Sequence, residues 1–300
     1  MGSLSEFTRD LRQSARVLRK SPVATCVAIL ALALGIGVNA SSFIRVDAMI
    51  LRPLPYPRLE RIVTVWETLP KTGAQRNAFA PGDFFDLREQ SRSFEKLAAY
   101  RGWEVSLTGA GNPEHVRAFL VSPDFFSVLG VQAALGRTFS SDDERLAAKD
   151  VVVVSEGFWK SHLAAARDAA GKSITLDGRA YAIAGVMPDD FDFPLATDIW
   201  APLIPDPGSR HDRATHDLMA IGLLKADVSA PRAGAEAAAI GARLAQQYPT
   251  TNEGRGMLTA PLRDLAEGVT SHFVWTLLGA AGFVLLLACA NVGNLHMARA

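Results

Sequence analysis

The chain has 300 residues, is 49% hydrophobic, and carries 31 basic against 31 acidic side chains. A balanced charge of this kind gives no electrostatic footprint for nucleic acid or for a strongly acidic partner. The two cysteines, Cys26 and Cys289, each lie in an apolar block near one chain end, so no disulfide framework holds the region between them.

Residues 1–20 read as a cytoplasmic amphipathic juxtamembrane segment. Phe7, Leu11 and Leu18 share one helical face, with Arg9, Arg12 and Arg16 largely elsewhere. From Ser21 to Ile44 the chain carries no charge. As a helix this run is ~36 Å long against a hydrocarbon core of ~30 Å, so residues 21–46 are predicted to form transmembrane helix 1. Arg9, Arg12, Arg16, Arg19 and Lys20 precede it and place the N-terminus in the cytoplasm. A cleaved signal peptide is the rival reading, because Val38-Asn39-Ala40 has the small-residue spacing of a cleavage site. Against it, the uncharged run is longer than a signal core and a second apolar segment follows. Ala33, Gly37 and Ser41, like Ala31 and Gly35, repeat at four-residue spacing and make small faces on which another helix can pack.

Residues 52–267 read as an extracytoplasmic domain of strands and helices. Arg52–Pro57 leaves the first apolar run through Pro53, Pro55 and Pro57, which predicts an extended, stiff exit. Arg61–Thr68 has the β-branched and aromatic content of a strand. Pro81-Gly82-Asp83 opens a helical stretch with Phe84, Phe85, Leu87, Phe94 and Leu97 as its apolar positions and Asp83 as N-cap. Glu104–Thr108 and His115–Val121 are predicted strands around the turn Gly109–Pro113, and a short helix follows Ser122-Pro123-Asp124 up to Gly130. Asp150–Ser155 is a buried strand and Glu156–Ala165 a helix. Asp177-Gly178 joins Ser173–Leu176 and Ala180–Val186 as a hairpin. Strands at Asp198–Pro202, His216–Lys225 and Gly256–Leu262 and an Ala-rich helix at Ala230–Gln247 complete an α+β pattern.

The second apolar run has no Lys, Arg, Asp or Glu from Gly268 to Ala298, so residues 270–298 are predicted as transmembrane helix 2, returning to the cytoplasm before Arg299. Asn291 and Asn294 lie on one face of it, where amides need partners from other helices, headgroups or water. The sequence stops close to that helix, and the chain is expected to continue beyond residue 300.

Chemistry is scarce in the pattern. Gly171-Lys172-Ser173 resembles the end of a phosphate-binding loop, but Ala166 stands where the loop needs glycine, and a hairpin follows where a helix should. His211, Asp212, His216 and Asp217 offer metal-ligand types at a spacing that matches no standard site. Asp189, Asp190 and Asp192 are interleaved with aromatic residues and proline, as in a structured loop rather than a calcium site. Ser155 precedes Glu156-Gly157 without the glycines of a nucleophile elbow. No catalytic, cofactor or metal residue is assigned, and the chain reads as a non-enzyme.

One set of motifs is more specific. It comprises Ala31-Leu32-Ala33-Leu34-Gly35-Ile36-Gly37-Val38-Asn39-Ala40, Leu51-Arg52-Pro53-Leu54-Pro55-Tyr56-Pro57 and Ser91-Arg92-Ser93-Phe94-Glu95 with Ala98-Ala99-Tyr100. It continues with Val121-Ser122-Pro123-Asp124-Phe125-Phe126, Gly136-Arg137-Thr138-Phe139, Gly185-Val186-Met187-Pro188 and Ala288-Cys289-Ala290-Asn291-Val292. Taken in order, these resemble MacB/FtsX-type ABC transporter permeases, most of all the subgroup called acidobacterial duplicated orphan permeases. The resemblance implies a MacB-like periplasmic core domain between two transmembrane α-helices, with a porter-like α+β part and an inserted subdomain at about 137–207. It implies a multi-pass protein of the bacterial inner membrane with the large domain in the periplasm. The implied partners are an ABC ATPase subunit, the lipid bilayer, and further transmembrane helices of the same protein or a dimer mate. The function implied is a permease subunit coupling ATP-driven movement to the periplasmic domain, in efflux or signalling. A membrane-anchored extracytoplasmic sensor or ligand-binding protein is the alternative.

Overall fold

The computed structural model describes residues 56–264, apart from 71–72, 110, 141, 144–149, 195 and 206–207, and three isolated positions, 279, 282 and 283. The predicted segments 1–20 and 21–46 lie outside the described residues, as does 270–298 save for those three positions. Among the described residues no helix is long and apolar enough to cross a membrane. Residues 54–265 form one compact unit.

The elements, in chain order, are β1 (Ile62–Leu69), β2 (Ala74–Asn77), α1 (Pro81–Gln90), β3 (Phe94–Thr108), β4 (Glu114–Val121), α2 (Phe125–Leu129) and β5 (Leu135–Gly136). They continue with β6 (Val151–Val154), α3 (Glu156–His162), β7 (Ser173–Leu176), β8 (Arg179–Val186) and β9 (Ile199–Pro202). The last are β10 (Met219–Leu224), α4 (Ala230–Gln247), α5 (Pro249–Asn252) and β11 (Gly256–Pro261). All the strands join one mixed sheet whose main path runs β11-β1-β10-β3-β4-β9-β6-β8-β5. At one end, β1–α1–β3 and β10–α4–β11 form a split βαβ pair in the order β11-β1-β10-β3, with each neighbour antiparallel. Between β3 and β10 the chain makes a long excursion that builds the rest of the sheet, and the expected insertion at 137–207 lies within it.

Alternation along the strands explains the layering. In β3, Leu97 and Ala99 face one side and Ala98 and Tyr100 the other. The first side packs on Phe84 and Leu87 of α1 and on Ala233, Ala237, Ile240 and Leu244 of α4. The second side packs on an aromatic cluster of Phe125, Phe126, Phe191, Phe193 and Trp200. A third core, under β4, β6, β7 and β8, buries Val152, Val154, Phe158, Leu176 and Ile183. The split βαβ sheet is thus covered on both faces, which is why β10 (MAIGLL) is apolar throughout.

Several expectations are corrected. The helix at Pro81 ends at Gln90, and Phe94 and Leu97 belong to β3. They share a face three residues apart because the ladder slips between Leu223 and Leu224. That bulge mimics a helical spacing in the sequence. The N-cap is Ala80 rather than Asp83, which sits in the first turn. α3 stops at His162, because Ala164 and Ala165 adopt positive φ and Trp159 Nε1 donates to Ala166 O at 2.8 Å, folding the chain back. β10 begins at Met219, since His216 and Asp217 are taken up by side-chain contacts. The short strands β2 and β5 carry too few residues to show a period.

Of the proline exit, the described residues show the last part. Pro53 and Pro55 lie outside the described residues, but at Pro57 the chain turns, and Arg58 takes a left-handed φ of 66°. The turn leaves Tyr56, 5% exposed, packed edge-on against Phe191 and Phe193. Burial pushes its hydroxyl pKa well above the usual phenol range. From Tyr56 onward the chain is held by a buried aromatic side chain.

Two measurements test this account. A Cβ on Gly222 would lie 2.5 Å from the buried Phe94 ring, whereas one on Gly102 would meet nothing within 4 Å. Gly222→Ala is expected to cost about 1–3 kcal/mol in denaturant unfolding, and Gly102→Ala to stay within about 0.5 kcal/mol of the parent. Residues 52–266 expressed without either apolar run are expected to give a soluble product with a cooperative thermal transition.

Candidate functional site

The chemistry-bearing side chains of the described region collect where β1 ends, α1 begins and the chain enters β10. Glu67 faces inward from β1 and is 2% exposed, as is expected only of a charge with partners. Its Oε1 accepts the Ala80 N–H at 3.1 Å, just before α1, and its Oε2 accepts from Arg255 at 3.0 Å. Asp83, in the first turn of α1 and 1% exposed, accepts from Asn252 of α5 at 2.8 Å and from Arg213. Arg213 also pairs with Asp86, and its guanidinium lies 3.6 Å from the Tyr248 ring centroid. An acidic first turn suits the helix dipole. The network connects β1, α1, the loop before β10, α5 and the start of β11.

This network brings in His216 from the residues singled out in the sequence and disperses the others. The Nδ1 of His216 lies 3.1 Å from Glu67 Oε2 but is not aligned as a hydrogen bond. Burial and the nearby Arg255 hold its pKa below the ordinary histidine value. Asp217 pairs with Arg101 at 2.6 Å. Asp212 accepts the Ala214 and Thr215 N–H groups and shapes the loop. Lys172 is held by Asp168 at 2.7 Å, and Ser173 opens β7. Asp192 accepts the Ala196 N–H, and Asp189 lies 4.0 Å from Lys160. Ser155 caps α3, accepting the Phe158 N–H at 3.1 Å. Sequence reading missed Glu67, Arg213, Asn252 and Arg255, because they come from distant segments, and gave Asp83 a capping role only. A glutamate in a strand otherwise free of charge was the one available signal.

A second arrangement was also illegible in the sequence. Ser161 Oγ lies 2.8 Å from His162 Nδ1, and His162 Nε2 lies 3.1 Å from Glu114 Oε2, the serine–imidazole–carboxylate order of a hydrolase. The surroundings oppose that chemistry. Ser161 sits in the last turn of α3 and donates to Gly157 O at 2.8 Å, and the carbonyl end of a helix repels a developing oxyanion. His162 is stacked on Phe158 at 4.4 Å. The arrangement ties α3 to the start of β4.

The Asp83–Arg213 pair is a structural cross-link, since its charges are withdrawn from water. Asp83→Ala leaves Arg213, 10% exposed, with Asp86 as its remaining carboxylate, and is expected to cost about 3–5 kcal/mol in unfolding free energy. Asp168→Ala, at an exposed pair, is expected to leave the melting temperature unchanged.

Comparison with known proteins bears on the fold. A domain assigned to a permease protein from Porphyromonas gingivalis superposes with a TM-score of 0.54 at 16% identity, covering 69% of this chain and 93% of that one. The periplasmic region of MacB from Actinobacillus actinomycetemcomitans gives a TM-score of 0.50 at 12% identity, covering 70% and 93%. No curated protein matches the chain. The family described as MacB-like periplasmic core domain matches residues 25–247, which span most of the compact unit and much of the apolar run before it. The chain therefore belongs to the MacB-like periplasmic core domain family.

Proposed function

We propose that the chain is a permease subunit of an ABC-type transporter or mechanotransmission system of the bacterial inner membrane, within the acidobacterial duplicated orphan permease subgroup. The domain at 52–267 lies in the periplasm in this reading, and the helices at 21–46 and 270–298 flank it. A partner ABC ATPase supplies the movement; the chain itself performs no catalysis.

One observation carries the reading beyond family membership. β1 and β11, the first and last strands, are antiparallel neighbours, with Val63 opposite Pro261 and the Leu262 N–H on Ile62 O at 3.0 Å. Both ends of the domain therefore leave from the same end of one strand pair. Tyr56 fixes the incoming segment in the aromatic core just before that pair. A displacement that arrives at Tyr56 or at Leu262 meets the sheet directly, since both residues are packed in the aromatic core beside this strand pair. The sensor alternative draws on a groove of about 100 Å³ lined by Phe84, Phe85, Arg88, Arg101 and Leu203.

Topology is checked by fusing alkaline phosphatase at Gly109, in the exposed β3–β4 turn. The fusion is expected to be active, and a reporter that works only in the cytoplasm is expected to be silent there. Coupling is checked on the chain reconstituted with its ATPase, with distance labels at exposed Glu104 and His115 and on the membrane segments. The distances are expected to change with ATP. Tyr56→Ala is expected to abolish that change with ATP hydrolysis retained, and Tyr56→Phe to restore it. Distances that follow a small ligand and ignore nucleotide would establish the sensor.

A further inference from the structure

The polar network at Glu67 has a charge imbalance that geometry alone exposes. Three carboxylates, Glu67, Asp83 and Asp86, face two guanidiniums, Arg213 and Arg255. A neutral His216 ring carries its proton on one nitrogen only, and with that proton on Nε2 the Nδ1 is an acceptor. That nitrogen lies 3.1 Å from Glu67 Oε2, another acceptor, and finds no aligned hydrogen-bond partner among the described residues. The second Asp83 oxygen, Oδ2, is likewise buried without a partner. One surplus negative charge and two acceptors in contact define a place for a single proton.

The remaining surroundings do not supply that charge. β10 and β11 present no charged side chain, and Arg76 of β2 is exposed. Asp212 lies in the loop before β10, engaged by backbone N–H groups, and Glu253 before β11 is exposed. In α4, Glu236 accepts the Arg92 and Ser93 N–H groups, Arg243 donates to Gln90, and Arg232 is exposed.

We propose that the Glu67–His216 pair is a one-proton site whose occupancy sets how firmly β1 is clasped to α1 and to the α5–β11 segment. The inference goes beyond the coupling reading and does not depend on it. With the proton bound, the cluster is balanced, and Glu67 fills its buried place without net charge. With the proton lost, a carboxylate stands in a desolvated site beside Asp83, and the arrangement in which it reaches water gains. Burial, with Asp83 acting in the same direction, pushes the Glu67 pKa up to about 7, against the pull of the Ala80 N–H and Arg255. A carboxyl raised in the closed state contributes stability that is fully present below its ordinary value of 4.5 and is lost as pH rises through about 7. The clasp therefore tightens on mild acidification and loosens on the alkaline side. For His216, held below its ordinary 6.5, the sign is opposite: its contribution to closure is present above that value and is lost as pH falls below it, so it offsets part of the tightening in mild acid.

Hydrogen exchange on the full chain in detergent micelles tests this. After correction for the chemical pH dependence, protection of residues 62–69 and 250–261 is expected to fall about threefold to tenfold between about pH 6 and pH 8 in the parent. Peptides from α3 are expected to show no such fall. Glu67→Gln, which keeps the shape and removes the titration, is expected to abolish the fall. A fall that persists in Glu67→Gln, or none in the parent, would overturn the proposal. Carboxyl-carbon NMR of the parent gives a check independent of any variant. Glu67 is expected to titrate near 7, and titration near the ordinary carboxylate value would overturn the proposal equally.

Discussion

Strand β3 is used twice over its fifteen residues: the first half hydrogen-bonds β10, and the second half hydrogen-bonds β4 and, at its end, β7. The split βαβ unit and the rest of the sheet therefore share one backbone. Their changeover lies at Tyr100, which pairs with Met219 on one side and Val121 on the other. Tyr100 is 3% exposed and packs against Phe119, Phe125 and Phe193. A ladder of this kind cannot slip by one residue without turning Tyr100 and Ala98 out of the aromatic core. The relative register of the two halves is thus set in a single strand.

The buried polar network does a different job from the apolar cores. Replacing such a network with apolar residues is often neutral or stabilising, so its charges are poor evidence of stability in themselves. What it adds is position. A side chain from β1, two from α1, two from the loop before β10 and two from the α5–β11 segment meet in one arrangement. An error in placing any of them leaves a charge unpaired in a dry site. The network closes the end of the β1–β11 pair opposite the chain exits, where Glu67 pairs across to Met257 and its carboxylate meets Arg255.

How much of this was legible follows from where the information is stored. The Asp177-Gly178 hairpin, the four valines of β6 and the Ala-rich α4 are local signals, and the structure places them as read: Asp177 and Gly178 both take positive φ, and α4 spans Ala230–Gln247. Phe94 and Leu97 misled because a bulge gave a strand a helical spacing. Tyr56 was invisible because three prolines around it suggested a rod, while its contacts come from Phe191 and Phe193, far along the chain. The polar network was invisible for the same reason, since Glu67 and Arg255 are 188 residues apart. Long-range pairing of single charged residues leaves no periodicity to read.

The central claim of the proposed function is that the domain moves as one body with the chain segments that enter and leave it beside the β1–β11 pair. Electron cryomicroscopy of the full protein with the ABC ATPase proposed as its partner, nucleotide-free and ATP-bound, measures this directly. The account predicts that Tyr56, β1 and β11 keep their mutual contacts in both states and shift together relative to the bilayer. A β1–β11 pair that stays fixed while the flanking segments move, or a Tyr56 that leaves the aromatic core between the two states, would contradict it.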